Sequence, residues 1–331
     1  MRGLKTGLGR TALQLANRVA HPLDKLAASG APGNTAPIMI VGLPRSGTTL
    51  MYELLVQAFD VSFLTRTYSY AYGLPNIITR IVADGTRNPD ARYSSNYGRI
   101  PGRFAPAENA VFWDRWFPEH PHLGHYVPRQ SVSAHAMEEA AATLSSMSAI
   151  TGRPFVFKNV YMTLSLAAFF TLLPNSKAII VTRNTDEVVA SVYNKRKSIP
   201  SWWTIRPPFA DEVFGKSVLE QTAFQCIRGQ QLLEHSLATL PGERSKVVDY
   251  AAICEDPRSV IAEVEAWAGD DVSRRRGQEI PERFERSAGP GLSDEAAANF
   301  ADYAAFLNES SSQYLGRIQA FVAEHSANVV S

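Results

Sequence analysis

Two cysteines in 331 residues, Cys226 and Cys254, are too few to staple a fold, so a disulfide framework is excluded and a reducing cytoplasm is the expected compartment. Long apolar runs are missing as well. The longest, Met162 to Leu173, covers about a dozen residues before Pro174 stops it, short of the ~20 that cross a bilayer, and is expected as a buried core helix. No secretory leader pattern is read at the start of the chain. Neither sign of charge is in excess: 33 Lys and Arg face 32 Asp and Glu, a net charge of +1, without the basic footprint of a nucleic-acid binder. With 45% apolar and 20% charged residues and no internal repeat, residues 36–331 read as one α/β domain that can bury a full core.

What is present starts with APIMIVGLPRSGTTLMYELL at residues 36–55: an apolar strand, a Gly/Pro/Ser loop and a helical pattern. From Gly42 to Thr49 the loop has the Gly-x4-Gly-x-Thr spacing of a phosphate cradle, in which backbone N–H groups and a helix N-terminus hold an anion. One more thing is lacking here. The lysine that reaches the outer phosphates of an NTPase would fall at Thr48, and the positive charge comes instead from Arg45 inside the loop. Pro44-Arg45-Ser46-Gly47-Thr48-Thr49-Leu50 resembles the 5′-phosphosulfate loop of sulfotransferases that use 3′-phosphoadenosine-5′-phosphosulfate (PAPS), in the bacterial and tyrosylprotein branches.

A second segment, residues 176–197, reads as a buried strand, Arg183 at its carboxyl end, and a helix carrying Ser191 eight residues on. An anion could be held between the guanidinium and the hydroxyl. This resembles the family's 3′-phosphate site, although Asn184-Thr185-Asp186-Glu187 replaces its usual wording. Between the two motifs, Lys158 ends a short strand, and Pro174-Asn175-Ser176-Lys177 precedes the next one, as in tyrosylprotein sulfotransferases. The resemblance implies that Lys158 supports the leaving oxygen. It also implies that Tyr250, in the segment Ser245 to Ala268, touches nucleotide, with plain packing as the alternative and Ala251 departing from the family's glutamate.

A sulfuryl acceptor must lose a proton, so a general base is needed. The glutamate that serves in the tyrosylprotein branch falls at Arg66 and is not carried over. Pro106-Ala107-Glu108, before the aromatic run Val111-Phe112-Trp113, resembles the Pro-x-Glu segment of bacterial relatives and makes Glu108 the leading base, in a setting expected to be dried by Phe104 and those aromatics. His125 is the secondary candidate. His120, His122 and His125 invite a metal reading, but Pro121 interrupts their spacing and no carboxylate follows at ligand distance, so no metal is expected.

The expected fold is a doubly wound α/β domain with a parallel sheet, helices on both faces, and strands at 38–41, 61–64, 155–157, 178–182 and 247–249. The expected reaction is sulfuryl transfer from PAPS, leaving PAP, to a hydroxyl of a small-molecule or lipidic acceptor. Arg45, Ser46, Gly47, Thr48 and Thr49 hold the 5′ end, Arg183 and Ser191 the 3′ end, and Tyr250 lies near. A P-loop kinase or NTPase, a nucleotide-binding protein without catalysis and a peptide (tyrosyl) sulfotransferase are the alternatives. Peptide recognition would use Arg66, Arg80, Arg87, Arg92, Arg99 and Arg103. Tyr68, Tyr70, Tyr72, Tyr93, Tyr97, Trp113 and Trp116, with Trp202-Trp203, read as an acceptor pocket or lid, with the core as the plainer alternative. Arg274-Arg275-Arg276-Gly277 resembles weakly a 3′-phosphate element of cytosolic sulfotransferases and reads otherwise as a solvated or dimer-facing patch. Residues 1–35 read as a basic amphipathic arm and linker, with Leu13, Leu15, Val19, Leu23 and Leu26 suited to a peripheral membrane contact, to packing on the domain or to a homodimer.

Overall fold

The computed structural model describes residues 7–87, 93, 100–102, 104–287 and 289–325; Arg92, Tyr97, Arg99 and Arg103 lie outside them. Helix α1 (Gly7–Leu26) precedes strand β1 (Ile38–Val41), and α2 (Thr48–Ala58) follows the loop. The long path to β2 (Val156–Lys158) contains α3 (Pro75–Val82), α4 (Ala110–Trp113) and α5 (Ala134–Thr151). Helix α6 (Leu166–Leu172) leads to β3 (Lys177–Thr182), and α7 (Thr185–Ser198) and α8 (Val218–Thr239) lead to β4 (Ser245–Asp249). Helices α9 (Tyr250–Glu255), α10 (Pro257–Ala268), α11 (Asp294–Glu309) and α12 (Ser311–Glu324) follow.

All strand pairings are parallel, in the order β2-β1-β3-β4, with Ile38 opposite both Val156 and Lys177 and Ala178 opposite Ser245. An all-parallel sheet needs cover on both faces, which is why IMIV is apolar throughout. Its side chains alternate. Met39 and Val41 pack with Phe157, Ile180 and the apolar sides of α5 and α6, while Ile38 and Ile40 pack with Ile179, Val181, α2 and α10. A further cluster joins α7, α8, α11 and α12 through Val189, Ile227, Phe300 and Ile318.

Residues 61–64 do not form the expected strand. Ser62 makes one parallel bridge with Phe155, at the outer edge of β2, before the chain turns away. The run Met162 to Leu173 is buried but broken: a 3-10 turn at Val160–Thr163 gives way to α6, and the Ser165 hydroxyl between them donates to His125 O and accepts from Val127 N. Residues 27–35, expected as a linker, are strapped along α5, where Ser29 N, Gly33 N and Asn34 N donate to the hydroxyls of Ser146, Ser145 and Ser148.

Candidate active site

At the end of β1 the backbone turns sharply into α2. Gly42 and Gly47 take φ of 153° and 100°; a Cβ would lie 2.4 Å from Val181 O at the first and 2.3 Å from the Tyr250 ring at the second. Arg45, a non-glycine residue, sits at φ 70°, the kind of strained position that gathers at functional sites. Ser46 N donates to Leu43 O, and the Thr163 hydroxyl both accepts from Gly42 N and donates to Gly42 O, which ties the loop to the turn after β2. The first helical bond runs from Met51 N to Gly47 O, so the N–H groups of Thr48, Thr49 and Leu50 have no acceptor within the helix. Those three residues line a cavity of about 480 Å³, the loop cavity, with Arg45, Gly47, Lys158, Arg183 and Tyr250.

β1 and β3 are neighbours, and the chain crosses to opposite sides of β1 on its way to β2 and β3, so the loop and Arg183 meet at the switch point of the sheet. Arg183 Nη1 donates to Arg45 O at 3.1 Å, Nη2 to Ser287 O at 2.6 Å and Nε to Glu187 at 2.8 Å. Its guanidinium lies 4.5 Å over the Tyr250 ring, whose hydroxyl accepts from Ser287 N. Burial pushes that hydroxyl's pKa up. Tyr250 therefore packs and faces the cavity at once. Ser191 is differently placed: two turns along α7 carry it away from the strand end, where it accepts from Arg45 Nε at 3.1 Å and lines an adjoining cavity together with Arg183. Among the described residues the buried Ser46 hydroxyl has no hydrogen-bond partner.

Lys158 closes β2 inside the same cavity, and its ammonium lies 3.0 Å from Glu108 Oε2 while Val160 N donates to Glu108 Oε1 at 2.7 Å. The carboxylate thus sits in a polar clasp, and Phe112 and Trp113 do not supply the dry setting expected of them. Phe112 and Trp113 turn into the core, where Trp113 meets Phe157 edge to face at 5.0 Å. Glu108 also lines a second cavity of about 540 Å³, the tryptophan cavity, with Arg66, Tyr70, Asn109, Trp202 and Trp203. Glu108, Val160, Trp202 and Thr204 are common to the two. The segment before Glu108 is pinned by Ala107 N to Leu64 O, and Asn109, at φ 45°, donates to Thr65 O and accepts from the Ser69 hydroxyl.

His125 lies elsewhere. Its ring stacks on Tyr161 at 3.9 Å, Nδ1 accepts from Arg206 N, and it lines a third cavity, the histidine cavity, with His21, Tyr72, Arg115, Glu119 and Glu139. Burial holds its pKa down at about 4, with Arg206 adding to the effect and the Glu119 carboxylate opposing it. His120 Nδ1 accepts from His122 N and Leu123 N, and among the described residues no three His, Cys, Asp or Glu groups gather to hold a metal ion. Of the aromatic set, Tyr68, Trp113 and Trp116 belong to the core, Tyr70 to the tryptophan cavity, Tyr72 to the histidine cavity and Tyr93 to the loop cavity. Arg274 and Arg275 pair with Glu265 and Asp60, and neither lines the loop cavity. That wall comes instead from Phe284, Glu285 and Ser287, with the Phe284 ring 5.0 Å from that of Tyr93. No local motif marks these residues; a bond from Phe284 N to Cys254 O brings the strand-less segment back.

A model of the sulfotransferase family matches residues 37–274. Among solved structures, the chain is similar to a sulfotransferase from Mycobacterium avium at TM-score 0.52 and 16% identity, over 90% of this chain and 74% of that one. It is similar also to a sulfotransferase from Mycobacterium tuberculosis at TM-score 0.50 and 16% identity, over 87% of this chain and 75% of that one. At such identities the likeness is one of fold. No curated protein sequence matches significantly.

Proposed function

From the premise that the chain belongs to the sulfotransferase family, we propose that it transfers a sulfuryl group from PAPS to a hydroxyl of a small-molecule or lipidic acceptor. The observation that carries this reading is the place of Glu108, clasped to Lys158 at 3.0 Å on the boundary between the loop cavity and the tryptophan cavity.

The loop cavity suits a nucleotide with an anion at each end. Amide donors from the first turn of α2, two guanidinium groups and an ammonium surround it, Gly47 lets the Tyr250 ring close against the loop, and among the described residues the buried Ser46 hydroxyl lacks a partner. In the proposed assignment Arg45 and the backbone of Ser46 to Thr49 hold the 5′-phosphosulfate. Arg183 holds the 3′-phosphate, Ser191 fixes the Arg45 side chain beside it, and Tyr250 lies between the two ends. PAPS, when bound, supplies the sulfuryl group on a phosphate leaving group. Glu108 accepts the proton of the attacking hydroxyl, and Lys158 donates to the oxygen that gathers negative charge as the old S–O bond breaks. Arg66, Tyr70 and Trp202-Trp203 orient the acceptor. The free thiols of Cys226 and Cys254, both buried, suit a reducing cytoplasm.

Calorimetry with PAP and with Mg²⁺-ATP tests the donor: PAP is expected to bind and Mg²⁺-ATP is not. Tight Mg²⁺-ATP binding without PAP binding would make the chain a P-loop kinase or NTPase. Incubating labelled PAPS with host extracts and peptides then identifies the acceptor by the compound that gains the label.

A further inference from the structure

Helix α1 is mounted inside out. Three of its polar residues face the domain: Asp24, 2% exposed, accepts from Asn76 Nδ2 at 2.7 Å and Ile77 N at 3.0 Å, and Asn17 donates to Tyr70 O and accepts from Gly73 N. His21 Nδ1 lies 3.2 Å from Gly73 O on the same side. At about 100° per residue, Leu15, Val19, Leu23 and Leu26 fall on the opposite side of the helix. They are 62%, 70%, 58% and 84% exposed. Surface helices ordinarily bury the apolar stripe and wet the polar one, so this arrangement leaves a ridge of four large apolar side chains in water.

The sequence of this segment is basic. Residues 1–26 contain Arg2, Lys5, Arg10, Arg18 and Lys25 against the single acid Asp24, and that acid is spent on the domain. Arg80, exposed and donating to Ala27 O, adds a cation where α1 ends, next to the exposed Ile81. No helix among the described residues is long and apolar enough to cross a membrane. An apolar ridge with exposed Lys25 and Arg80 at its end, on a segment of basic sequence, complements the plane of an anionic bilayer, with leucines among the acyl chain boundary and basic groups at lipid phosphates.

We propose that α1 docks the protein flat on a bilayer that carries anionic lipid. The inner side of the helix gives this placement a use: Asn17 and His21 line the histidine cavity, and that cavity shares Ala110 and Tyr161 with the tryptophan cavity. A lipid-borne hydroxyl would have a short path from the bilayer to Glu108. That link to Glu108 rests on the proposed sulfuryl transfer; the docking itself does not.

Co-sedimentation of the full chain with vesicles of phosphatidylcholine alone, or with a quarter phosphatidylglycerol, is the test. Binding to the anionic vesicles is expected to be at least tenfold tighter, to weaken with salt, and to fall tenfold or more in Leu15→Glu/Leu23→Glu, while PAP binding by calorimetry stays within twofold. The milder pair Val19→Ser/Leu23→Ser replaces it if PAP binding is lost with the fold. Absence of vesicle binding, or equal binding by the variant, overturns the proposal and leaves PAP binding to speak for the reaction. So does a dimer in light scattering that the substitutions split without any vesicle binding, which would give the ridge to a second copy.

Discussion

Glu108 uses its two oxygens differently, one for Val160 N–H and one for the Lys158 ammonium, so Glu108→Gln keeps the shape and removes the proton acceptor. The expected loss is ~10²–10⁴-fold in kcat, the usual range for general-base removal, with PAP affinity unchanged. Steady-state kinetics beside PAP calorimetry checks it; a variant as fast as the parent would move the base elsewhere. Gly47→Ala puts a methyl 2.3 Å from the Tyr250 ring at φ 100°. A stability loss of about 1–3 kcal/mol and at least tenfold weaker PAP binding are expected, read by thermal melting and calorimetry. His125 gives the pH dependence. Its pKa is held at about 4 in the fold, against 6.5 for an ordinary histidine, because burial excludes charge and Nδ1 already accepts from Arg206 N. Above pH 6.5 the ring is neutral in both states; as pH falls from 6.5 toward about 4, only the unfolded chain gains the proton, and stability is lost across that window. The loss amounts to about 3 kcal/mol at most, and melting curves of His125→Gln are expected to be flatter over the same pH range.

Among elements, β1, its loop and α2 were the most legible, because a wholly buried strand, two glycines and a helix start are all local signals. The end of β3 was legible for the same reason: Asn184, whose side chain accepts from Asp186 N and Glu187 N, caps α7 just after Arg183. Long-range partners were not. Residues 61–64 read as a strand by composition, but β2 offers them one bridge only, and nothing near Phe284 or Tyr93 announces the wall they build. Ser191 was assigned by spacing, which fixes its place on α7 and not the direction in which Arg45 reaches it. Trp202-Trp203 were legible as a wall, whereas their support was hidden. Arg196, fully buried, lies 4.4 Å over the Trp203 ring and donates to Pro200 O and Gln221 Oε1. Burial lowers its pKa to about 10, which leaves it charged at neutral pH. Arg196→Ala is expected to cost about 2–4 kcal/mol of stability and to raise the acceptor KM with PAP affinity unchanged. Equal changes in both affinities would deny the wall a separate role.

At the scale of the molecule, α1 and the strap of residues 27–35 are tied to the domain by backbone donors of the strap that end on serines of α5 and by Asp24, which ends on α3. Asp24→Ala strands the Asn76 amide and Ile77 N–H, with an expected cost of about 1–3 kcal/mol. Hydrogen exchange should then show α1 losing protection while β1 and β3 keep theirs. Uniform loss through the sheet would mean that the arm is integral to the core.

The order β2-β1-β3-β4 separates two kinds of inheritance. In the proposed function the nucleotide is gripped from strand ends that cannot shift without undoing the sheet, whereas most of the tryptophan cavity, Glu108 included, is borrowed from the excursion between β1 and β2. Under that reading a lineage could rewrite the rest of the excursion, and with it the taste for one alcohol over another, while the loop after β1, Lys158, Arg183 and the one glutamate pass down intact.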